Sequence, residues 1–536
     1  MPTFGIDLGT TYSCIAYMDA AGRPVIAKNA VGEDTTPSVV YFETPENVVV
    51  GADAKKSALL DPDRVVQLIK RQMGEKLELE FDGVPHTPES ISGLILKELA
   101  RAAAELTHEE VKDVVITVPA YFGVQERQAT RNAGEIAGLN VLNMVPEPVA
   151  AALHYEAMGG EDNRTILVYD LGGGTFDTTV IRLEGSDVHV VCTDGNHRLG
   201  GADWDDRIAD HLLEGFLAEN PGSTAASSED FLQEIALAAE ELKKGLSRTL
   251  TRRHNMRFDG GVARVELSRE RFEELTADLL EQTLEITART VAAAAERGVH
   301  SFDDVLLVGG STRMPAVEAG LRERFGFEPK LYDPDLAVAK GAARFALIES
   351  IKLRFADEAD EAESLDESAV AEVADQLNLD ATEVRRLAGK RVTSAVPRAF
   401  GVKVLVGKKP ERFAIQHVLK ANTALPATPD PERLGTAWPN QTEVDVEIWE
   451  QAGPVESENL ADNKKIGEGT ISGMPPLPEG SPLDVTFGMD EMGTLRVYAI
   501  ELTTRKDLEI ELKIEGLSAD DVVEARKHVG RYELSE

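Results

Sequence analysis

The chain has 536 residues with 42% apolar side chains, more than one hydrophobic core ordinarily supports, so about two or three structural units are expected. Its 56 basic against 94 acidic side chains leave a formal charge of −38, which repels nucleic acid and anionic membrane surfaces and excludes both as partners. The two cysteines, Cys14 and Cys192, lie far apart without ligand spacing and imply small buried apolar residues rather than a disulfide framework or a zinc site.

Residues 4–12 read FGIDLGTTY, a strand that ends in Asp7 and turns through glycine and threonine. With this strand at the start no signal peptide is expected, no run reaches the roughly eighteen apolar residues of a membrane span, and a cytoplasmic location follows. From residue 1 to about 350, short apolar strands alternate with amphipathic helices, the pattern of α/β lobes. Strands are predicted over 114–118, 165–169, 187–191 and 304–308, and helices over 89–106, 125–137, 203–219 and 230–246. Residues 168–177, VYDLGGGTFD, repeat the opening motif with Asp170 placed 163 residues after Asp7 (170 − 7). An aspartate at a strand end can face a cation or its waters, glycines let backbone N–H groups approach phosphate oxygens, and threonine adds a hydroxyl donor. Two such turns imply a duplicated lobe that closes on a metal-bound nucleotide from both sides.

The character changes over 356–367, an acidic run that reads as a solvated linker and places a domain boundary. Val370, Val373, Ala374 and Leu377 then fall at helical spacing, and Asp380 with Glu383 reads as a capping box opening a second short helix through Leu387. In acidic surroundings this pair reads as a packing hairpin rather than a DNA-binding motif. Beyond Arg398, alternating strands over 444–449, 483–487, 495–500 and 508–512 argue an antiparallel sandwich. One terminal helix follows, from Ser518 to about Arg531, with Asp520 and Asp521 in its first turn.

The N-terminal 350 residues resemble the ATPase domain of a 70-kDa heat-shock (Hsp70, DnaK-like) chaperone, of the actin and sugar-kinase superfamily. The resemblance rests on GIDLGTTYS at 5–13, TVPAYF at 117–122, RQAT at 127–130, AGLN at 137–140, DLGGGTFD at 170–177, LGGAD at 199–203 and VGGSTR at 308–313. It implies an α/β fold: a two-lobed, actin-like, ribonuclease H-like duplicated ATPase domain over 1–350. An acidic linker and helical insertion over 351–396, a β-sandwich substrate-binding-like domain over 397–516 and a terminal helix over 517–536 without a full lid complete the expected order. The implied ligands are ATP or ADP with Mg²⁺ and K⁺. Asp7 and Asp170 would orient water ligands of the magnesium, and Thr10, Thr11 and Tyr12 with Gly172, Gly173, Gly174 and Thr175 would cradle the β- and γ-phosphates. Lys70 aligns with the lysine beside the γ-phosphate, where a positive charge stabilises the transferred group, and Glu147 and Asp177 complete the acidic set that places the water and cations. Adenosine would be held by Glu240, Lys243, Lys244 and Ser247 on one helix, with Gly309, Gly310, Ser311 and Arg313 after a buried strand and Asp335 beside them. Pro119 and Arg127 match the pair that relays nucleotide state toward the second domain.

Further along, PRAFG at 397–401, LKANTALP at 419–426, Asn440-Gln441, DNK at 462–464 and VTF at 485–487 track the family's peptide-binding sandwich. There an extended, unfolded polypeptide would pair through main-chain groups, with Val444 a candidate for the pocket or for half-buried core. Departures from the pattern are Pro146 and Val149 around Glu147, KRVTSA at 390–395 in place of a leucine-rich linker, and the absence of a long helical lid. The arginine that helps dock a J-domain co-chaperone falls at Asn143. Partners implied by the resemblance are therefore extended polypeptide, a J-domain co-chaperone and a nucleotide exchange factor, the last two set against an altered linker. Two alternatives from other classes are a nucleotide-controlled regulatory switch for one dedicated protein partner and an actin-like filament protein. A small-molecule kinase would need a catalytic aspartate over a substrate hydroxyl, and no such motif stands apart from the water-binding set.

Overall fold

The computed structural model describes residues 3–158, 163–185, 187–355, 365–491, 493–511 and 517–535. The predicted solvated linker over 356–367 lies outside them as far as residue 364, as does Leu512 of the last predicted strand.

Lobe I is built on β1 (Phe4–Asp7), β2 (Tyr12–Met18) and β3 (Pro24–Ala27), with β4 (Asn47–Val50) and α1 (Ala52–Ser57) in a smaller neighbouring sheet region. Helix α2 (Pro88–Thr107), β5 (Asp113–Val118), α3 (Val124–Ile136), β6 (Asn140–Pro146) and α4 (Glu147–Ala157) follow. The main sheet runs β6-β5-β1-β2-β3, with β1 parallel to β5 and antiparallel to β2. Lobe II repeats this plan with β7 (Arg164–Leu171), β8 (Phe176–Glu184), β9 (Asp187–Asn196), α5 (Gly201–Glu219), α6 (Glu229–Leu246), β10 (Asp304–Val308) and β11 (Pro329–Leu331). Here β7 is antiparallel to β8 and parallel to β10, so each Asp-Leu-Gly turn joins an antiparallel pair beside a parallel strand. The duplication read from the two motifs is a duplication of strand pairing.

Helix α7 (Ala337–Arg354) packs with α4 between the lobes, and their small residues set the spacing. A Cβ on Gly5 would overlap the Ala342–Ala343 backbone, and one on Gly341 would overlap Ala150. The insertion forms α8 (Glu367–Leu377), capped by Asp366, and α9 (Ala381–Ala388), capped by Asp380, which accepts from Glu383 N–H at 2.7 Å. Leu365, Val370, Val373, Val384 and Leu387 join the same apolar core as α4 and α7. The pair packs as a hairpin onto the two lobes. The altered linker then adds β12 (Val392–Thr393) to the edge of the lobe II sheet, parallel to β9.

The sandwich has two antiparallel sheets. One contains β13 (Phe400–Lys408), β14 (Glu411–Leu419), β16 (Val444–Gln451) and β17 (Asn463–Ile471); the other β15 (Glu432–Gly435), β18 (Pro482–Met489), β19 (Leu495–Glu501) and β20 (Lys506–Glu511). Phe400, Ile448, Val485, Phe487 and Val497 fill the space between them, and Val444 is half-buried at the margin of this core. The terminal helix α10 (Ala519–Arg531) begins in a capping box of Ser518 and Asp521 and carries Val522 and Val529 into the core of lobe I. Burying each of these valines contributes on the order of 2 kcal/mol. Past it, β21 (Glu533–Ser535) pairs in parallel with β4. The cap at Ser518 and the acids of the first turn announced the helix, but nothing local announced that its apolar face belongs to the other end of the chain.

Candidate functional site

A cleft of about 1320 Å³ opens between the lobes, and most of the residues singled out in the sequence line it. Of the residues expected to hold nucleotide, metal or water, Gly174 and Asp177 alone do not line it; both stand behind the wall. The two phosphate-type turns interlock at its floor, since a Cβ on Gly173 would collide with the Thr11 side chain and one on Gly174 with Thr10. Gly309 has φ of 82° and presses on the Leu171 carbonyl, so its conformation and its neighbour both demand glycine. Ser311 Oγ ties that third turn to the second by donating to Gly172 O at 3.0 Å.

At the closed end lie four carboxylates and one ammonium. Lys70 is only 4% exposed and donates to Glu147 Oε1 at 2.7 Å. It sits on a short 3-10 turn (Ile69–Gln72) preceded by Leu68 in the left-handed region, which turns the side chain inward. That burial is unlike an exposed helix lysine. Asp7 accepts from Thr117 Oγ1 at 3.0 Å, and Asp177 from the N–H groups of Ala120 and Tyr121 at 3.0 and 3.2 Å. Burial first and the Glu147 charge second push the carboxyls of Asp7 and Asp177 up to about 7, against the pull of Lys70. The same two causes, with Asp177 and Asp7 added, hold Asp170 well above the usual carboxylate range.

This end of the cleft thus holds more negative charge than Lys70 offsets, which is the electrostatic condition for receiving a cation. No three His, Cys, Asp or Glu side chains among the described residues converge closely enough to cage a metal directly. A hard cation that keeps several of its waters and is completed by phosphate oxygens fits such an acidic, open donor set; a zinc-type centre does not.

Arg71, adjacent to Lys70, was not singled out from the sequence. It donates to Gly174 O at 3.2 Å and pairs with Asp203 at 2.6 Å, bracing the second phosphate turn from lobe I. Its signal was its place beside Lys70 and the conjunction of Asp203 with the LGGAD stretch, but a long-range ion pair has no local signature.

At the open end Glu240 accepts from Tyr12 OH at 3.0 Å and pairs with Lys55 across the cleft. Lys244 donates to Tyr12 OH and pairs with Glu240, both at 2.9 Å. Burial alone would raise the Glu240 carboxyl, but Lys55 and Lys244 draw it down to about 2. Lys243 turns away from the others and donates to Gly201 O and Asp205, both at 2.6 Å, anchoring α6 on α5. Of the helix residues expected to hold adenosine, Lys243 is thus engaged with α5, while the Lys244 ammonium lies 4.9 Å from the centre of the Tyr12 ring. Ser247 donates to Lys243 O at 3.3 Å, and Arg313 pairs with Asp335 at the rim. Lys55, on α1, is a second residue that the sequence reading missed.

Two further positions were singled out in the sequence. Arg127 donates to the carbonyls of Phe122 at 3.0 Å and Ala120 at 3.4 Å, which ties the start of α3 to the loop holding Asp177. Asn143 donates to Glu349 at 3.0 Å. Against known protein families, a model described as Hsp70 protein matches residues 3–82, 75–358 and 393–535. The unmatched stretch between the last two segments contains α8 and α9 in full.

Proposed function

The chain belongs to the Hsp70 family of chaperone ATPases, and from that premise we propose that it hydrolyses ATP to ADP and phosphate with Mg²⁺, coupling nucleotide state to the sandwich's hold on extended polypeptide. The observation that carries the reading is the buried Lys70–Glu147 pair set among Asp7, Asp170 and Asp177 at the closed end of the cleft. Asp7 and Asp170 would orient the waters of a bound Mg²⁺, whose charge would offset that of the phosphates. Thr10, Thr11 and the Gly172–Thr175 turn would hold phosphate oxygens through backbone and hydroxyl donors. Lys70 would stabilise charge on the γ-phosphoryl group, and Glu147 and Asp177 would orient the attacking water. Glu240, Lys244, Ser247, Arg313 and Asp335 line the end that would take adenosine. We further take K⁺ as an accompanying cation, the domain limits at 350, 396 and 516, and a cytoplasmic location as parts of this reading. Among the described residues, no helix is long and apolar enough to cross a membrane.

Substituting Lys70 by Ala tests the assignment: turnover is expected to fall by about 10²–10³-fold with nucleotide binding retained, and unchanged turnover would remove Lys70 from its role. A second reading, a switch for one dedicated partner, is favoured by the two ends of the sandwich, of which one is tied to lobe II through β12 and the other to lobe I through α10 and β21. A peptide array separates the two. A chaperone binds many unrelated extended apolar peptides and releases them with ATP, whereas a dedicated switch binds none of them in any nucleotide state.

A further inference from the structure

The loop over 119–124 is used on both of its faces. Toward the cleft, Ala120 and Tyr121 N–H hold the Asp177 carboxylate, and the Phe122 ring lies 5.6 Å from the Lys70 ammonium. Away from the cleft, the Tyr121 ring faces the Arg398 guanidinium at 4.8 Å, and Val124 N–H donates to Glu450 Oε1 at 3.4 Å. Arg398 precedes β13 and Glu450 lies in β16, so both belong to the sandwich. Glu126, in the first turn of α3, receives Arg398 Nη1 at 3.3 Å, and Glu450 Oε2 lies 3.8 Å from the same nitrogen. One arginine and two carboxylates are therefore sealed between the domains, with Arg398 6% and Glu450 1% exposed at the side chain. Gly123 leaves the space for them, since a Cβ there would overlap the Glu450 carboxylate.

A buried charge cluster is a poor device for cohesion alone, because apolar residues of the same volume hold an interface at least as well without the desolvation cost. Its position supplies a different use. Tyr121 is one residue with two partners: its ring is held by Arg398 and its amide holds Asp177. Whatever fixes the ring also fixes the amide, within one residue's length of the groups that would orient the attacking water.

We propose that Arg398 is a positioning residue for ATP hydrolysis: from the docked sandwich it fixes Tyr121 and the first turn of α3, and so the Ala120 and Tyr121 amides that hold Asp177 in place. This rests on the ATP-hydrolysing reading of the cleft. The residues that would bind nucleotide lie on the other side of Asp177 and do not touch Arg398. Loss of Arg398 therefore slows the chemical step and leaves nucleotide affinity alone.

The test uses the full chain and two readouts: steady-state Mg²⁺-ATP turnover, and amide hydrogen exchange at Ala120 and Tyr121 without nucleotide. Replacement of Arg398 by Met keeps most of the stem and removes the charge. It is expected to lower kcat by about tenfold, with KM for ATP within about twofold of wild type, and to speed exchange of both amides by about tenfold. Arg398→Lys keeps a buried cation, tolerates the fold where Met does not, and is expected to recover most of the lost kcat. Wild-type kcat and wild-type amide protection in the Met variant overturn the proposal, as does a fall in kcat that comes with raised KM and with loss of protection throughout β7 and β10. Should the wild-type chain hydrolyse no ATP, the reading of the cleft fails instead, and the exchange data alone still decide whether Arg398 positions the loop.

Discussion

The cleft floor and the interdomain seam each set a buried basic side chain among carboxylates, yet they complete the charge in different ways; in the seam Arg127, His197 and Lys464 also act on Glu126 or Glu450. Lys70 shares its surroundings with Asp7, Glu147, Asp170 and Asp177 at the end of an open cleft, where a cation and a polyphosphate can enter. Arg398 shares its surroundings with Glu126 and Glu450 in a buried seam, whose neighbouring cavity beside Gly123 and Arg127 is only about 20 Å³. Burial, partly offset by Arg398 and reinforced by Glu126, accordingly pushes the Glu450 carboxyl up to about 7. The difference teaches that an unbalanced buried cluster is not itself a sign of ligand binding; access decides whether the missing charge is a ligand or a proton.

Removing the basic group of the open cluster gives the largest expected effect. Lys70→Ala leaves four carboxylates without their ammonium, and the loss of about 10²–10³-fold in turnover corresponds to roughly 3–4 kcal/mol at the transition state. Isothermal titration with ADP and Mg²⁺ checks that the cleft still binds. If binding is lost together with turnover, Lys70 belongs to the construction of the cleft rather than to the chemistry, and the contrast with Arg398 disappears.

The closed cluster makes the next prediction, a dependence on pH. The Glu450 carboxyl is raised in the folded chain above its ordinary 4.5, so the folded form binds the proton more tightly. Its contribution is then greatest below about 4.5 and is lost as pH rises toward about 7. Linkage over that range weakens the seam by roughly 2 kcal/mol between pH 5 and 7.5. Glu126 runs the other way: although its burial opposes this, Arg398 draws its carboxyl down, and its contribution disappears only on acidification. Thermal unfolding across this range is expected to show a smaller loss in Glu450→Gln, which keeps an acceptor for Val124 N–H, than in the wild type; the loss common to both comes from Asp7, Asp170 and Asp177, whose carboxyls are raised as well. Identical profiles for the two proteins would mean that water reaches Glu450 and the cluster is not sealed.

What the sequence disclosed and what it concealed follow the same division between local and long-range causes. Asp7 and Asp170 are legible because a strand, an acid and a glycine turn are consecutive, and the interlocking of Gly173 with Thr11 is the consequence of bringing two such turns together. The Val370–Leu387 helix pair is legible from its spacing and from the cap at Asp380, whereas the cap at Asp366 fell within the run read as a linker. Lys70 needed family resemblance, because its burial comes from a left-handed Leu68 that composition does not reveal. Arg71, Lys55 and Arg398 were missed, since each works through a partner more than 100 residues away: Asp203, Glu240 and Glu126 respectively. The start of α10 was visible from Ser518 and the acids after it, but its docking site on lobe I, hundreds of residues earlier, was not.

The smallest effect is expected where the sandwich is tied down without charge, and it sharpens the comparison by supplying a seam of the opposite kind. Tyr532, at the end of α10, is bonded through its hydroxyl to His86 Nε2 at 3.0 Å, while Lys97 donates to the carbonyls of Val529 at 3.0 Å and Tyr532 at 3.1 Å. Burial, with a lesser contribution from His528, lowers the His86 imidazole to about 4. A histidine lowered on folding from 6.5 gives its stability above 6.5 and loses it as pH falls toward 4, the reverse of Glu450. From pH 7.5 to 5.5 the loss is roughly 1 kcal/mol, and Tyr532→Phe costs about 1 kcal/mol at neutral pH by leaving a buried ring nitrogen without its partner. Hydrogen exchange in α10 is the appropriate measurement, because the docking of this helix can open while the lobes remain folded. Acidification should therefore loosen α10 while it strengthens the Glu450 contact, the latter partly offset by His197, whose imidazole is lowered to about 4 by burial and by Arg398. If α10 and the Glu450 contact loosen together on acidification, protonation of Glu450 is not what sets the behaviour of the seam.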